Sequence, residues 1–530
     1  MDRKINYLDI TLRSEYKRYI SKNAFDILVI GGGVTGAGIC LDAASRGFKT
    51  CLIEMNDFAS GTSSKSTKLI HGGLRYLEQF KFGLVHETGS ERAILKNIAP
   101  HIVKSEKMLL PIIKNGKLSK FSTRAALFVY DYLANVKGKD KNKMLSKNEV
   151  QSMEPLLIDK GLLGGALYSE YRTDDSRLTI DLLKKSVNYD ACPINYTKAE
   201  VFLFDEMKKV IGVKCKDQLK NDKINIYSKV IINASGSWTD DILKGKKKKL
   251  VLSKGIHIVL PIKKLNIQQS LYFDAIDSRM IFAIPRGKTV YIGTTDTKFK
   301  KGKGKIVILK KEVKYLIDSV NNSFNKSIEI KDVISSWVGL RPLVKDGNKE
   351  VTEISRRDEI FISNDGLITI AGGKLTGYRK MAERVVDLAQ KKLNMNKLRS
   401  VTKSLKLINY EYNFCKKKCE EYGVNSQMFN SIYNIYGDGC LEIFKIHKEI
   451  KNEHIIVAEF IYTKQNEMCH NLLDFFTQRN SVVYFEIENL KNYLKHLKRY
   501  LLENKLIKKE IWKEEELNLM NYVKKITNFI

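Results

Sequence analysis

The chain is predicted to be an α/β protein in three parts. These are a Rossmann-like dinucleotide-binding domain built from discontinuous segments, an interleaved α+β domain with an antiparallel sheet, and a C-terminal helical domain. Three observations carry this expectation. A glycine-rich turn joins a strand to a helix near residue 31, two more β-rich runs end in small residues near 235 and 372, and past residue 400 the apolar spacing turns helical. With 530 residues and 43% hydrophobic content, the chain can bury more than one core.

The first element is a βαβ unit. Asp26 to Ile30 is a short β-rich run that leads into Gly31-Gly32-Gly33-Val34-Thr35-Gly36, then into a helical pattern through Ile39, Ala43 and Ala44 that Gly47 ends. Lys49 to Ile53 reads as the next strand, and Glu54 follows eighteen residues after Gly36. In a G-x-G-x-x-G turn in this setting, Gly31 permits the tight turn, Gly33 lets backbone approach a pyrophosphate, and Gly36 lets the helix pack on the strand. The pyrophosphate sits on the helix N-terminus, and Glu54 is placed to accept from adenosine ribose hydroxyls.

That unit alone does not separate NAD from FAD. Val230 to Gly236 and Leu367 to Lys374 are the further strand-like runs, and each ends in small residues, with Ala234 and Gly236 in one and Gly372 and Gly373 in the other. Small residues there let backbone meet a ligand at the carboxyl edge of a parallel sheet. A nucleotide domain assembled from segments near 30, 230 and 370 is the way FAD is held in flavoproteins that oxidise amines and hydroxy acids, so FAD is the expected cofactor. The implied division is 20–95, 196–245 and 361–395 for the FAD-binding domain, 96–195 and 246–360 for the substrate domain, and 400–530 for the helical domain. In the second insert Met280 to Ile284 and Val290 to Ile292 read as strands of an antiparallel sheet over the flavin. Leu490, Leu494, Leu497 and Leu501 recur at three- and four-residue spacing, predicting a core-facing helix, with a membrane-surface helix as the alternative.

Composition narrows the function classes. The net charge of +32 comes from lysines spread along the chain, whereas a nucleic-acid protein concentrates charge beside aromatics in one module. Nucleic acid is therefore not an expected partner, while anionic substrates and anionic lipid are. No run of about 18 apolar residues occurs, so no spanning helix is predicted. The first 25 residues carry Asp2, Asp9 and Glu15 and lack an apolar core, so neither a secretory leader nor a transit peptide is expected. The eight cysteines are scattered, and the close pair Cys415 and Cys419 has no second pair at zinc spacing, so reduced thiols and no metal are expected.

The most specific stretch is Asp57 to Glu78, which contains Ser60-Gly61-Thr62-Ser63-Ser64-Lys65-Ser66-Thr67-Lys68-Leu69-Ile70-His71-Gly72-Gly73-Leu74-Arg75-Tyr76. It resembles the signature of FAD-dependent glycerol-3-phosphate dehydrogenases. The resemblance continues at Asn233 to Trp238, Lys254-Gly255-Ile256-His257, Gly293 to Thr297, Gly339 to Leu343 and Gly372 to Lys380, covering about 25 to 390. It is looser past 400, around Thr477-Gln478-Arg479. Two departures stand out. Members often carry Trp where this chain has Arg286, and the internal insertion usual in the related oxidases is lacking.

The resemblance implies oxidation of glycerol 3-phosphate to dihydroxyacetone phosphate, with electrons passed to a membrane quinone. The alternative is an oxidase that uses oxygen and makes hydrogen peroxide. It also implies a cytoplasmic protein peripheral on the cytoplasmic membrane, or on the mitochondrial inner membrane as an alternative, and a homodimer is left open. By resemblance Thr62, Ser63, Ser64, Lys68, His71, Gly72, Gly73, Lys374, Leu375 and Thr376 join Gly31, Gly33, Gly36, Glu54, Ala234, Gly236, Gly372 and Gly373 around a non-covalent FAD. Oxidising a secondary alcohol sends a hydride from C2 to flavin N5 and the hydroxyl proton to a base, a role neutral imidazole suits near pH 7. His257 is the expected base, ahead of His71. Arginine suits the substrate phosphate because its planar fork binds oxygens in pairs. Arg341 is the first candidate, then Arg75, then Arg357, while Lys374 can reach both substrate and flavin. Tyr76 and Thr376 complete the expected substrate contacts, and Lys254 adds only positive field.

Overall fold

A computed structural model describes residues 8–72, 82–133, 136, 138–243, 249–300, 302, 306–345, 358–396, 398–451 and 453–529. Among these residues two large sheets form. The first runs in the order 358–362, 368–372, 223–233, 24–30, 50–53 and 192–194, with 197–204 and 210–217 added as an antiparallel hairpin on strand 223–233. Its four central strands are mutually parallel, with Ile30 opposite Asn233 and Ile53 on the other side. Strand Thr50–Ile53 is buried throughout, as a parallel strand covered on both faces requires. Helices Val34–Ser45, Asp175–Val187 and Tyr378–Lys392 belong to this layer, and a Cβ at Gly38 would lie only 2.8 Å from the ring of Tyr378.

The second sheet runs in the order 297–298, 250–261, 289–293, 280–286, 270–274, 104–113, 162–172 and 69–70, with 335–344 paired to 250–261 and 143–145 to 162–172. The antiparallel core expected in the second insert is present. The two inserts meet where Ser270 and Leu271 pair in parallel with Met108 and Leu109. The expected segment boundaries need two adjustments. Strand Cys192–Ile194 pairs with Thr50–Ile53 in the nucleotide sheet, not in the substrate domain that was expected to run to 195. Strand Leu69–Ile70 pairs with Tyr171 and Arg172 in the second sheet, although it falls inside the first expected FAD segment.

The C-terminal region is helical, as expected. Leu490, Leu494, Leu497 and Leu501 are all buried, so their stripe faces protein. Two buried arginine forks pin this region to the rest. Arg479 donates to both carboxylate oxygens of Asp57 at 2.6 and 2.9 Å, and Arg177 donates to both of Glu467 at 2.7 and 2.9 Å. Buried charges of this kind are tolerable only when paired, and the bidentate geometry engages both oxygens of each carboxylate. Among the described residues no helix is long and apolar enough to cross a membrane.

Candidate active site

The glycine turn is built as its spacing demands. Gly31 has φ +118°, and a Cβ there would lie 2.6 Å from the Ala234 carbonyl oxygen. A Cβ at Gly36 would come within 1.9 Å of the Gly31 carbonyl oxygen, so any side chain breaks the turn. At Gly33 a Cβ would meet only Ser63 within 4 Å, and at Gly236 nothing. These two positions border a cavity of about 1080 Å³, also lined by Glu54, Thr62, Gly373 and Lys374. That volume is at the upper end for small-molecule sites, and bare glycine backbone facing it fits a dinucleotide diphosphate at the start of helix Val34–Ser45. Gly33→Val puts two methyl groups into this space and is expected to purify without bound dinucleotide. Loss of visible absorbance per mole of folded protein measures it, and retention of full absorbance removes the assignment.

Glu54 lines the cavity, and its carboxylate accepts from the backbone N–H of Gly32 (2.6 Å) and Asn56 (2.9 Å). Burial pushes its pKa up to about 7, against the pull of those two N–H groups. The loop after it is held from several directions. Ser63 Oγ accepts from Val34 N at 2.9 Å, Thr62 Oγ1 donates to the Leu340 carbonyl at 2.7 Å, and Ser64 is buried with its hydroxyl on the Gly61 carbonyl. Lys68 is fully buried, with Nζ 2.6 Å from Asp175, whose other oxygen accepts from Ser66 N. Thr376 Oγ1 donates to the His71 carbonyl at 3.1 Å, and Gly72 N donates to Glu170. Ala234, Gly372 and Leu375 join the cavity lining.

His257 lies outside that lining, on strand Leu250–Pro261. Its imidazole occupies space left by Gly293, directly opposite in the antiparallel register, where a Cβ would sit 2.1 Å from the ring. It stacks on Trp337, its partner on the other neighbouring strand, at 4.8 Å and 13°. Nε2 is 3.0 Å from Thr67 Oγ1, and the ring is 1% exposed, while buried Nδ1 meets no partner among the described residues. Burial pushes its pKa well below the histidine range, and the charges of Arg341 and Lys68 push the same way. The imidazole is therefore neutral at pH 7.

Arg341 uses a second glycine gap on the same strand. A Cβ at Gly255 would lie 2.4 Å from its guanidinium, which donates to Thr294 Oγ1 (2.7 Å) and the Thr295 carbonyl (3.1 Å) and lies 3.4 Å from Asp296. Gly255 and His257 are two residues apart and share a face of the strand, so the Arg341 and His257 side chains stand on one side of the sheet. Lys254 points elsewhere, into a 2.7 Å ion pair with Glu312 that cancels its expected positive field. Arg286 donates to Asp174 at 3.0 Å and covers the ring of Phe485, a structural contact to the C-terminal region. The candidates Gly73, Arg75, Tyr76 and Arg357 lie outside the described residues.

Sequence reasoning missed the residues that fix His257. Thr67 bonds the imidazole, Trp337 stacks on it and donates through Nε1 to the Ser66 carbonyl at 3.1 Å, and Tyr291 donates to the Thr67 carbonyl at 3.1 Å. Gly293, closing an apolar strand run, was the available signal of a close approach.

Comparison with known proteins agrees with this geometry. The family model described as FAD dependent oxidoreductase matches residues 26–379, and that described as C-terminal domain of alpha-glycerophosphate oxidase matches 400–507. The chain is 42% identical over 506 residues to the aerobic glycerol-3-phosphate dehydrogenase of Staphylococcus aureus, covering 91% of each. The glycerol-3-phosphate dehydrogenase of Bacillus halodurans, solved with FAD, superposes with a TM-score of 0.84 at 35% identity over 98% of this chain and 99% of that one. The L-alpha-glycerophosphate oxidase of Mycoplasma pneumoniae, at 18% identity and a TM-score of 0.56 over 72% of this chain and 98% of its own, shares the fold.

Proposed function

Because the chain belongs to the FAD-dependent glycerol-3-phosphate dehydrogenase family, we propose a division of labour among its residues in the oxidation of glycerol 3-phosphate. The protein is an FAD-dependent oxidoreductase of that substrate. Bound FAD supplies the acceptor for the hydride that leaves C2, at N5 of the flavin. The turn from Gly31 to Gly36, with Glu54, Gly236, Gly372 and Gly373, holds the dinucleotide. Thr62, Ser63, Ser64, Lys68, His71 and Gly72 hold the loop against it, and Ala234, Leu375 and Thr376 close the opposite edge.

His257 takes the hydroxyl proton of the substrate. What supports this is the buried, neutral imidazole, held by Thr67 at Nε2, whose Nδ1 has no hydrogen-bond partner among the described residues. Arg341 clamps the phosphate with its fork, its plane set by Thr294 and Thr295. Lys374 adds charge between substrate and cofactor, and Arg75, Tyr76 and Arg357 supply further substrate contacts. The product is dihydroxyacetone phosphate. Anaerobic addition of glycerol 3-phosphate should bleach the flavin absorbance at once. A flavin that stays oxidised with this substrate and bleaches with an amino acid sinks the reading.

The acceptor in this reading is a membrane quinone, reached by a protein seated on the bilayer without spanning it. Reoxidation of the reduced enzyme followed by stopped flow should be faster with a quinone analogue than with air. The reverse order identifies an oxidase. A surface carrying part of a +32 net charge gains about 1 kcal/mol per lysine near anionic lipid, and this attraction fades within a Debye length. Binding to anionic vesicles should accordingly weaken as salt rises, and equal binding to neutral vesicles counts against it.

A further inference from the structure

Helix Lys120–Leu133 presents two unlike faces. On the inner face Leu127 and Tyr130 are fully buried and Thr123 nearly so. On the outer face Phe121 is 85% exposed, Phe128 73% and Tyr132 81%, and Arg124 and Ala125 lie between them. Positions 121, 124, 125, 128 and 132 follow helical spacing, so these side chains form one continuous stripe. Such large aromatics on the surface of a soluble protein are ordinary when scattered, but three on one helical face form a patch that marks an interaction surface.

The chemistry around the stripe identifies what it meets. From 114 to 143 the sequence holds eight Lys and Arg against two Asp. Lys120 and Arg124 are exposed on the helix itself, and Lys114 and Lys141, which flank it in sequence, are exposed too. One of the two acids, Asp131, is engaged by Asn142 at 2.7 and 2.8 Å. A basic rim around exposed Phe and Tyr matches the boundary between anionic head groups and acyl chains, where aromatic rings settle and lysines reach phosphates. One helix face is small against the roughly 800 Å² that each partner gives to a stable protein interface. Two copies carrying +32 each also repel.

The inner face links this stripe to the redox centre. Tyr130 donates to Glu170 at 2.8 Å and accepts from Arg92 at 2.7 Å, and Glu170 also accepts from Gly72 N. A Cβ at Gly72 would lie 2.4 Å from the Tyr130 hydroxyl, so the helix rests directly on the end of the loop that carries Thr62 to Gly72. We propose that the Phe121–Phe128–Tyr132 face of this helix seats the enzyme on an anionic lipid bilayer, with the cofactor loop on the opposite side of the same helix. A membrane-borne acceptor would then meet the protein one helix away from that loop. The inference rests on the reading that electrons pass to a membrane quinone.

The test uses the FAD-loaded full chain and vesicles of phosphatidylcholine with or without phosphatidylglycerol. Wild type is compared with the triple variant Phe121→Ser, Phe128→Ser, Tyr132→Ser and with a control, Lys491→Ser, Lys495→Ser. The triple variant should lose roughly tenfold or more in partition to the anionic vesicles, since interfacial binding scales with buried apolar area. Its flavin content and anaerobic bleaching by glycerol 3-phosphate should match wild type, which guards against misfolding, while reduction of a vesicle-borne quinone should fall. Phe128→Trp should show a blue-shifted emission on vesicle addition. If wild type binds anionic vesicles and the triple variant binds equally, or the tryptophan at that position stays in water, this face is not the seat although the membrane reading survives. If wild type binds no vesicle at low salt, the membrane reading fails and takes the seat with it. If the triple variant changes only the solution mass of the protein, the stripe is a contact between copies and the proposal is overturned.

Discussion

His257→Asn is expected to slow anaerobic reduction of the bound FAD by roughly 10²–10⁴-fold, the usual contribution of a positioned general base. FAD content and substrate affinity should stay close to wild type, because the imidazole lies outside the dinucleotide cavity. Asparagine can still bond Thr67 but cannot take a proton at neutral pH. The pH profile gives the sharper test. An imidazole acting as base works only when neutral, and burial beside two cations places protonation of His257 well below the ordinary histidine range. The acid limb of the wild-type rate should therefore fall at lower pH than a free imidazole would give, and the variant should lack that limb. A sequence-based expectation puts the limb in the histidine range; the buried strand position moves it to acid. Stopped-flow bleaching across pH measures both quantities. A variant that reduces its flavin within a few-fold of wild type, with the same profile, would make His257 structural and pass the role to His71 or Lys374.

Arg341→Lys should raise the Michaelis constant for glycerol 3-phosphate by roughly ten- to a hundredfold, the weight of a charge-assisted contact worth about 1.5–3 kcal/mol. The charge is kept, but the planar fork and the bonds to Thr294 and Thr295 that fix its plane are lost. FAD content should not change, since this side chain does not line the dinucleotide cavity. Steady-state kinetics with flavin content measured on the same sample separates the two effects. An unchanged Michaelis constant would move the clamp to Arg75 or Arg357.

The nucleotide layer was legible because its signals are local. Strand, glycine spacing, helix and acid follow one another within thirty residues of Asp26, and each has a physical reason to be where it is. The three separated strand ends at Ile30, Asn233 and Gly372 also showed in sequence, because buried parallel strands read as apolar runs. The three-residue strand Cys192–Ile194 did not, since a run so short has no periodicity to find, and the domain boundary was drawn past it. At the site, His257, Gly293 and Arg341 were each singled out as parts of motifs. That Gly293 and Gly255 are the gaps the two side chains fill appears only once the strand register is known. The bonds of Thr67 to His257 and of Lys68 to Asp175 join positions 190 and 107 residues apart, and no composition or spacing announces them.

The Arg479–Asp57 fork has a consequence for how the protein is made. Its two ends are 422 residues apart, and both are buried. A chain leaving the ribosome completes the glycine turn and Glu54 before residue 479 exists, so Asp57 lacks its arginine partner until the 422 residues after it have been made. Burying it before then would leave a lone charge in the interior, which is strongly unfavourable. The loop that follows Glu54 thus reaches its final packing only once residue 479 has been made. A chain that stops short of residue 479 carries the dinucleotide fingerprint but lacks the arginine that pairs with Asp57.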